Sequence, residues 1–260
     1  MSSSSRRCIQ SVCLSVAFVL LSFSVSSGSE ADAFFIKGNE HYQDGDYEAA
    51  IAEYQKIREL GFESWEVYYN LGNAYYKQGN IAHAILNFER ALKANRKNED
   101  LNFNLELANL SVVDRIPALP KFFLFRWIES AARVMNPSTL AIVALICYLV
   151  IMTLVTARLF FNRGGLRGAS SVVIVLGSIV LVAFSGLLAV VVYDNETKEE
   201  AVVMRDRVDV VSAPGDSGTE VFALHAGVKV QVQDTSGEWV KIRLSDGKLG
   251  WLRSETLQHI

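Results

Sequence analysis

Apolar positions along this chain keep three different rhythms. Between residues 31 and 110 they recur at three- and four-residue spacing, as one face of a helix requires. Tyr68, Leu71, Gly72 and Tyr75 form one such stripe, and Ala84, Phe88 and Ala91 form the stripe that answers it. The same stretch says nearly the same thing twice at a spacing of 34: Gly38-Asn39 returns as Gly72-Asn73, Tyr42 as Tyr76, Gly45 as Gly79, Ala50-Ile51 as Ala84-Ile85, and Tyr54 as Phe88. Over residues 139–161 and 171–193 no charged side chain lies in the middle of either run, leaving two long apolar helices. Beyond residue 200 the period falls to two, in short β runs at 201–204, 208–211, 220–224, 229–233, 239–243 and 249–252. Turn signals such as Ala213-Pro-Gly, His225-Ala-Gly, Ser236-Gly and Asp246-Gly247 separate these runs. The pattern predicts a multidomain membrane protein: paired α-helices, a two-helix transmembrane hairpin and a small all-β barrel.

A period of 34 with these glycines and aromatics resembles the tetratricopeptide repeat, a helix–turn–helix unit that stacks on its neighbours. The repeats occupy 31–64 and 65–98, and Leu101, Leu105 and Ala108 continue the pattern as a capping helix over 99–110, within a domain of 31–116. Two and a half repeats bury little surface, so the domain is expected to need the membrane, a partner or self-association. The first repeat departs from the usual pattern at Lys37, and Phe62 and Arg96 stand where proline is common. Such repeats present a concave surface to protein segments. Its candidate residues are Phe35, Asn39, Tyr42, Tyr69, Asn73, Tyr76 and Phe103, with asparagine to hold a peptide backbone and aromatics to grip an apolar anchor. About half of the tyrosines can equally serve packing between helices.

The apolar stretches place this surface. Arg6 and Arg7 precede an apolar run from Cys8 to Val25 that exits through Ser26, Ser27 and Gly28, the layout of a secretory signal over residues 1–28. Cleavage near Ser27–Gly28, cleavage at Ala31-Asp-Ala33 and retention as an anchor helix all fit. Each later stretch is long enough for ~30 Å of hydrocarbon. Arg163 and Arg167 lie in the turn 162–170, which holds no acid, whereas Asp194, Glu196, Glu199 and Glu200 follow the second stretch. Basic residues in a short loop place it in the cytoplasm, so the flanking domains are expected on the outside. Ser171, Ser178 and Ser185, with Ala189 beyond, make a stripe expected to face another helix, while Val175 and Val182 face lipid. Over 117–136, Leu124, Trp127, Ile128, Ala131 and Met135 align on one side of a juxtamembrane helix, suited to the membrane interface or to packing between domains.

Composition removes several function classes. The chain has 260 residues and a formal charge of -3, which gives no support to nucleic-acid binding. Its cysteines, Cys8, Cys13 and Cys147, all fall in apolar segments, so no disulfide supports the exported domains. His41, His83, His225 and His259 are scattered without ligand spacing. Gly215-Asp-Ser217-Gly looks like the serine loop of a protease, but it lies in a turn with no upstream histidine in its domain. No catalytic residue, metal site or cofactor is expected, and the chain reads as a non-enzyme.

The β region over 200–260 resembles a bacterial SH3 domain (SH3b). The residues that carry this are Val228-Lys-Val-Gln-Val, Glu238-Trp-Val-Lys-Ile-Arg-Leu, Asp246-Gly and Gly250-Trp251-Leu. Such modules bind cell-wall peptides or proteins, and Trp239 and Trp251 are expected in the core rather than on a ligand platform. The order of the pieces is similar to protein E of the Bat (Bacteroides aerotolerance) operon family. Gly38-Asn-Glu-His-Tyr42, Gly45-Asp-Tyr47, residues 68–76, residues 84–91 and residues 241–251 carry that likeness. It implies an inner-membrane scaffold or adaptor with both soluble domains in the periplasm, linked to oxidative-stress tolerance. Its partners would be other Bat proteins with von Willebrand A domains and a MoxR-type ATPase system. The alternative is a peptidoglycan-binding or envelope-sensing protein.

Overall fold

In the computed structural model, which describes residues 30–96, 98–117, 119–120, 137–160, 167–197, 199–215 and 218–260, glycine sets how tightly each repeat closes. A Cβ on Gly38 would sit 2.5 Å from the Tyr54 ring, and one on Gly72 would sit 2.5 Å from the Phe88 ring. The missing side chain thus seats the aromatic of the second helix on the backbone of the first. The helices are α1 (residues 30–43), α2 (Tyr47–Glu59), α3 (Trp65–Gln78), α4 (Ile81–Ala94) and α5 (Glu99–Leu110). Asp46, Ser64, Asn80 and Asn98 cap α2 to α5 by accepting from backbone N–H groups three residues on. Gly79 closes α3 at φ 86°, a left-handed conformation that favours glycine.

Two apolar helices follow, α6 (Pro137–Phe160) and α7 (Arg167–Thr197), packed against each other. Each contains a stretch long and apolar enough to cross a membrane. Because α7 begins at Arg167, the end of the expected turn 162–170 is helical. The serine stripe needs correction. Ser171 and Ser178 are half-buried with Ile174, Leu181 and Phe184, but Ser185 and Ala189 are exposed, as are Val175 and Val182. Seven residues advance a straight helix by about 20° less than two full turns, so a heptad stripe drifts off the contact face. The signal segment 1–28, the amphipathic segment 121–135 and the basic turn at 161–166 lie outside the described residues.

Among the described residues seven strands close the chain: β1 (Glu199–Val203), β2 (Arg207–Val211), β3 (Glu220–His225), β4 (Lys229–Ser236), β5 (Trp239–Arg243), β6 (Leu249–Arg253) and β7 (Leu257–His259). They form one antiparallel sheet in the order β3-β2-β6-β5-β4-β1-β7. Strand β7 was not legible in the sequence, because three residues carry no alternation and the strand exists only by pairing with β1.

The repeats and the sheet share one core. Ile85, Leu86, Phe88, Leu105, Ala108 and Val112 belong to the same buried cluster as Ala201–Val203, Leu224, Val230, Ile242 and Leu252. The segment after α5 runs onto the sheet, where Leu119 N–H donates to the Ser245 carbonyl at 3.1 Å. The support that two and a half repeats lack therefore comes from the chain's own C-terminal module.

Candidate interaction surfaces

The candidate groove residues lie on α1, α3 and α5, and the asparagines of these helices form a ladder. Asn39 Oδ1 accepts from Tyr54 Oη at 2.7 Å and from Asn70 Nδ2 at 3.0 Å. One repeat on, Asn104 Nδ2 donates to Asn73 Oδ1 at 2.9 Å and to Tyr69 Oη at 3.1 Å. The acceptor ends of Asn39 and Asn73 are thus engaged between helices, and what they offer an incoming segment is their amide N–H groups. Burial pushes the Tyr54 phenol up to about 12.

The other candidate residues divide between packing and exposure. Phe35 is half-buried with its ring 6.0 Å from Tyr54. Tyr42 lies edge-on to Tyr47 at 5.4 Å, and burial raises its pKa, with Tyr47 and Tyr69 adding to the effect. Tyr69 packs near Trp65 and Phe88. Tyr76 packs against the core shared with the sheet. Phe103 is 65% exposed, and Leu107 and Leu110 continue its open stripe along α5.

Sequence reasoning missed the surface that joins the two modules. Ala82 and Leu86 on α4 are buried and Glu89 nearly so, yet their counterparts 34 residues earlier, Glu48, Ala52 and Gln55, are exposed. The apolar drift of the second repeat's outer face was the available signal. Lys229 on β4 bridges Glu89 at 2.9 Å and Glu200 at 2.7 Å. Burial alone would lower the Lys229 pKa, but the two carboxylates hold it above the ordinary lysine value. Burial pushes Glu89 up despite the opposing ammonium. Asp114 accepts the His225 backbone N–H at 2.6 Å and lies 3.1 Å from His225 Nδ1. Gly227, at φ 93°, sits so close that a Cβ would come within 2.9 Å of Val112 and 3.3 Å of Ile85.

The two tryptophans of the sheet also need correction. Val240, Ile242, Gly250 and Leu252 point inward, which turns Trp239, Lys241, Trp251 and Arg253 outward. Cross-strand pairing sets Trp239 beside Arg253 and Lys241 beside Trp251. The Arg253 guanidinium lies 5.3 Å from the Trp239 ring centroid and the Lys241 ammonium 5.9 Å from that of Trp251. Alternation along β5 and β6 fixes this, since the small aliphatic positions already fill the core. The result is a half-exposed checkerboard of two indoles and two cations, suited to a ligand with a flat apolar face and acceptor groups.

This architecture defines a class: helical repeats of the protein-binding type joined to a small SH3-type β module, with two apolar helices inserted between them. Comparison agrees at the level of the modules. Residues 206–258 match the family model for a bacterial SH3 domain. Residues 65–98 match that for the tetratricopeptide repeat and residues 38–79 that for the TPR repeat. A search of curated proteins finds no match.

Proposed function

We propose that this chain is a non-enzymatic, membrane-anchored adaptor. The repeat groove takes a protein segment, the outer face of the SH3-type module takes a second ligand, and the apolar hairpin holds both against one membrane surface. The observation that carries the reading is the core shared by residues on both sides of the hairpin. Two modules packed into one body must lie on the same side of any bilayer that α6 and α7 cross, which asks for an even number of crossings. The arginines at 163 and 167, and Arg6-Arg7 ahead of the first apolar run, favour the periplasmic side for that body. The likeness to the Bat operon family adds the finer reading of an inner-membrane scaffold linked to oxidative-stress tolerance. Partners with von Willebrand A domains and a MoxR-type ATPase system belong to that reading.

Crosslinked purification from native membranes tests it. The full chain should capture such partners, and Phe103→Asp with Asn73→Ala should reduce capture while helical circular dichroism stays unchanged. Full capture by the folded double variant removes the groove from the proposal. A reporter active only in the periplasm should work after Gln258 and near Asn98 and fail at Gly165, and the reverse pattern overturns the orientation.

A cell-wall reading rests on the exposed Trp239–Arg253 and Lys241–Trp251 pairs. It expects the full chain to sediment with isolated sacculi and Trp239→Ala to weaken that association. Sedimentation that is absent, or unaffected by the substitution, eliminates it.

A further inference from the structure

Strand β1 starts two residues after α7 ends, which gives the soluble body a membrane-proximal end. The apolar stretch of α7 finishes at Val190, and Glu200 lies ten residues on. At ~1.5 Å per helical residue and ~3.3 Å per extended one, Glu200 is within about 20 Å of the hydrocarbon edge. Ile260 N–H donates to the Glu200 carbonyl, and Ala201 pairs with His259. From there the contacts pass to the repeats: Arg90 Nη2 donates to the His259 carbonyl at 2.6 Å and Lys93 Nζ to that of Ile260 at 3.2 Å. The C-terminal halves of α2 and α4 and the start of α3 therefore share this end.

An open cavity of about 470 Å³ lies there, lined among others by Arg58, Tyr68, Arg90 and Lys93. The Arg58 and Arg90 guanidiniums both pack on the Tyr68 ring, at 5.4 and 5.9 Å. Neither arginine forms an ion pair among the described residues, and Arg58 Nε is buried without a partner, while Lys93 is held 3.2 Å from the Ile260 oxygen. Glu63 is the one acidic side chain in the lining, and it is set against the three basic side chains of Arg58, Arg90 and Lys93. Beside the cavity, the turn between α2 and α3 exposes Leu60 and Phe62. Phe62 is the residue that stands where this repeat type commonly has proline. Basic side chains in excess of acidic ones, next to exposed apolar side chains at the end of the body nearest an apolar hairpin, match the layering of a bilayer surface: phosphates outside, acyl chains beneath.

We propose that this end of the repeat domain is a lipid-headgroup site. Arg58, Arg90 and Lys93 receive the phosphate of an anionic lipid, and Leu60 and Phe62 dip into the interface. The proposal rests on the reading of α6 and α7 as spans. It tilts the repeat domain onto the membrane and leaves the concave face and the Trp239–Trp251 face open to other ligands.

Hydrogen exchange of residues 60–64 in the full chain tests it, in nanodiscs with and without phosphatidylglycerol. Exchange should slow when phosphatidylglycerol is present, and the protection should fall roughly fivefold for each basic side chain removed in Arg58→Gln and Lys93→Gln. Phe62→Ser should lose protection with the cations intact, which guards against misfolding of the charge variants. Equal exchange in both nanodiscs overturns the site. The same protection from inorganic phosphate in detergent overturns the lipid as its source. Release of the chain from membranes by alkaline carbonate overturns the span reading and this site together, whereas retention with unchanged exchange overturns the site alone.

Discussion

Replacing Leu86 with alanine should loosen the SH3-type module, although Leu86 belongs to the repeats. The side chain is 1% exposed and lies in the cluster shared with β1 to β6. Its truncation leaves a cavity walled by two modules that cannot both collapse into it, at a cost of about 3 kcal/mol. The matching position in the first repeat, Ala52, is exposed, so Ala52→Leu should change stability by less than ~0.5 kcal/mol. Native-state hydrogen exchange on the full chain in detergent separates the modules. If they unfold as one body, the amides of Val240 and Ile242 on β5 should exchange ~100-fold faster in Leu86→Ala, since each 1.4 kcal/mol is tenfold. Amides of α2 should accelerate by a similar factor. Faster exchange confined to α4 and α5, with β5 unmoved, would refute the single-body argument and with it the same-side inference for the hairpin.

Gly72→Ala should cost about 1–3 kcal/mol, read as a lower melting temperature by far-ultraviolet circular dichroism, because the new methyl meets the Phe88 ring. A Phe88→Leu partner change should recover part of that loss. Tyr54 is held neutral in the fold, so its contribution is complete below pH 10, the ordinary phenol value. It is lost as the pH climbs toward about 12, with a slope of up to ~1.4 kcal/mol per pH unit. Urea midpoints measured across that window should fall in the parent and fall less in Tyr54→Phe. Lys229→Met leaves Glu89 and Glu200 facing each other and should weaken the joint by about 2 kcal/mol, as followed by β5 exchange. Adding Glu89→Gln should restore most of it.

The repeat helices were legible because their signals are local. Gly72 and Phe88 recur with their counterparts at 34, and caps such as Ser64 and Asn98 stand at the helix starts. The β runs showed for the same reason, as alternation of Val240 and Ile242 with Trp239 and Lys241. The joint was not legible, because Leu86, Lys229 and Asp114 are distant in sequence and each is ordinary in its own element. The tryptophans misled because large aromatics usually fill cores, whereas here valine, isoleucine and leucine fill this one. The place of Asn39 and Asn73 on the first helices points toward a ligand. Their use in the ladder depends on Asn70 and Asn104, which only the stacking brings near. Tyr76, too, changes meaning once the module beside it is seen.

The soluble body is assembled from two stretches of chain that leave the ribosome on either side of α6 and α7. Residues 30–116 emerge first and must wait, with Ile85, Leu86 and Val112 uncovered, while the apolar pair is delivered. Under the proposed crossing of a bilayer by α6 and α7, only a chain whose second apolar helix returns β1 to the side of α4 can cover them. A chain inserted with one crossing strands the two halves on opposite faces and leaves that patch open to proteases and chaperones. With α6 and α7 as the proposed spans, completion of the joint is then a built-in check on insertion, reported by the burial of a leucine.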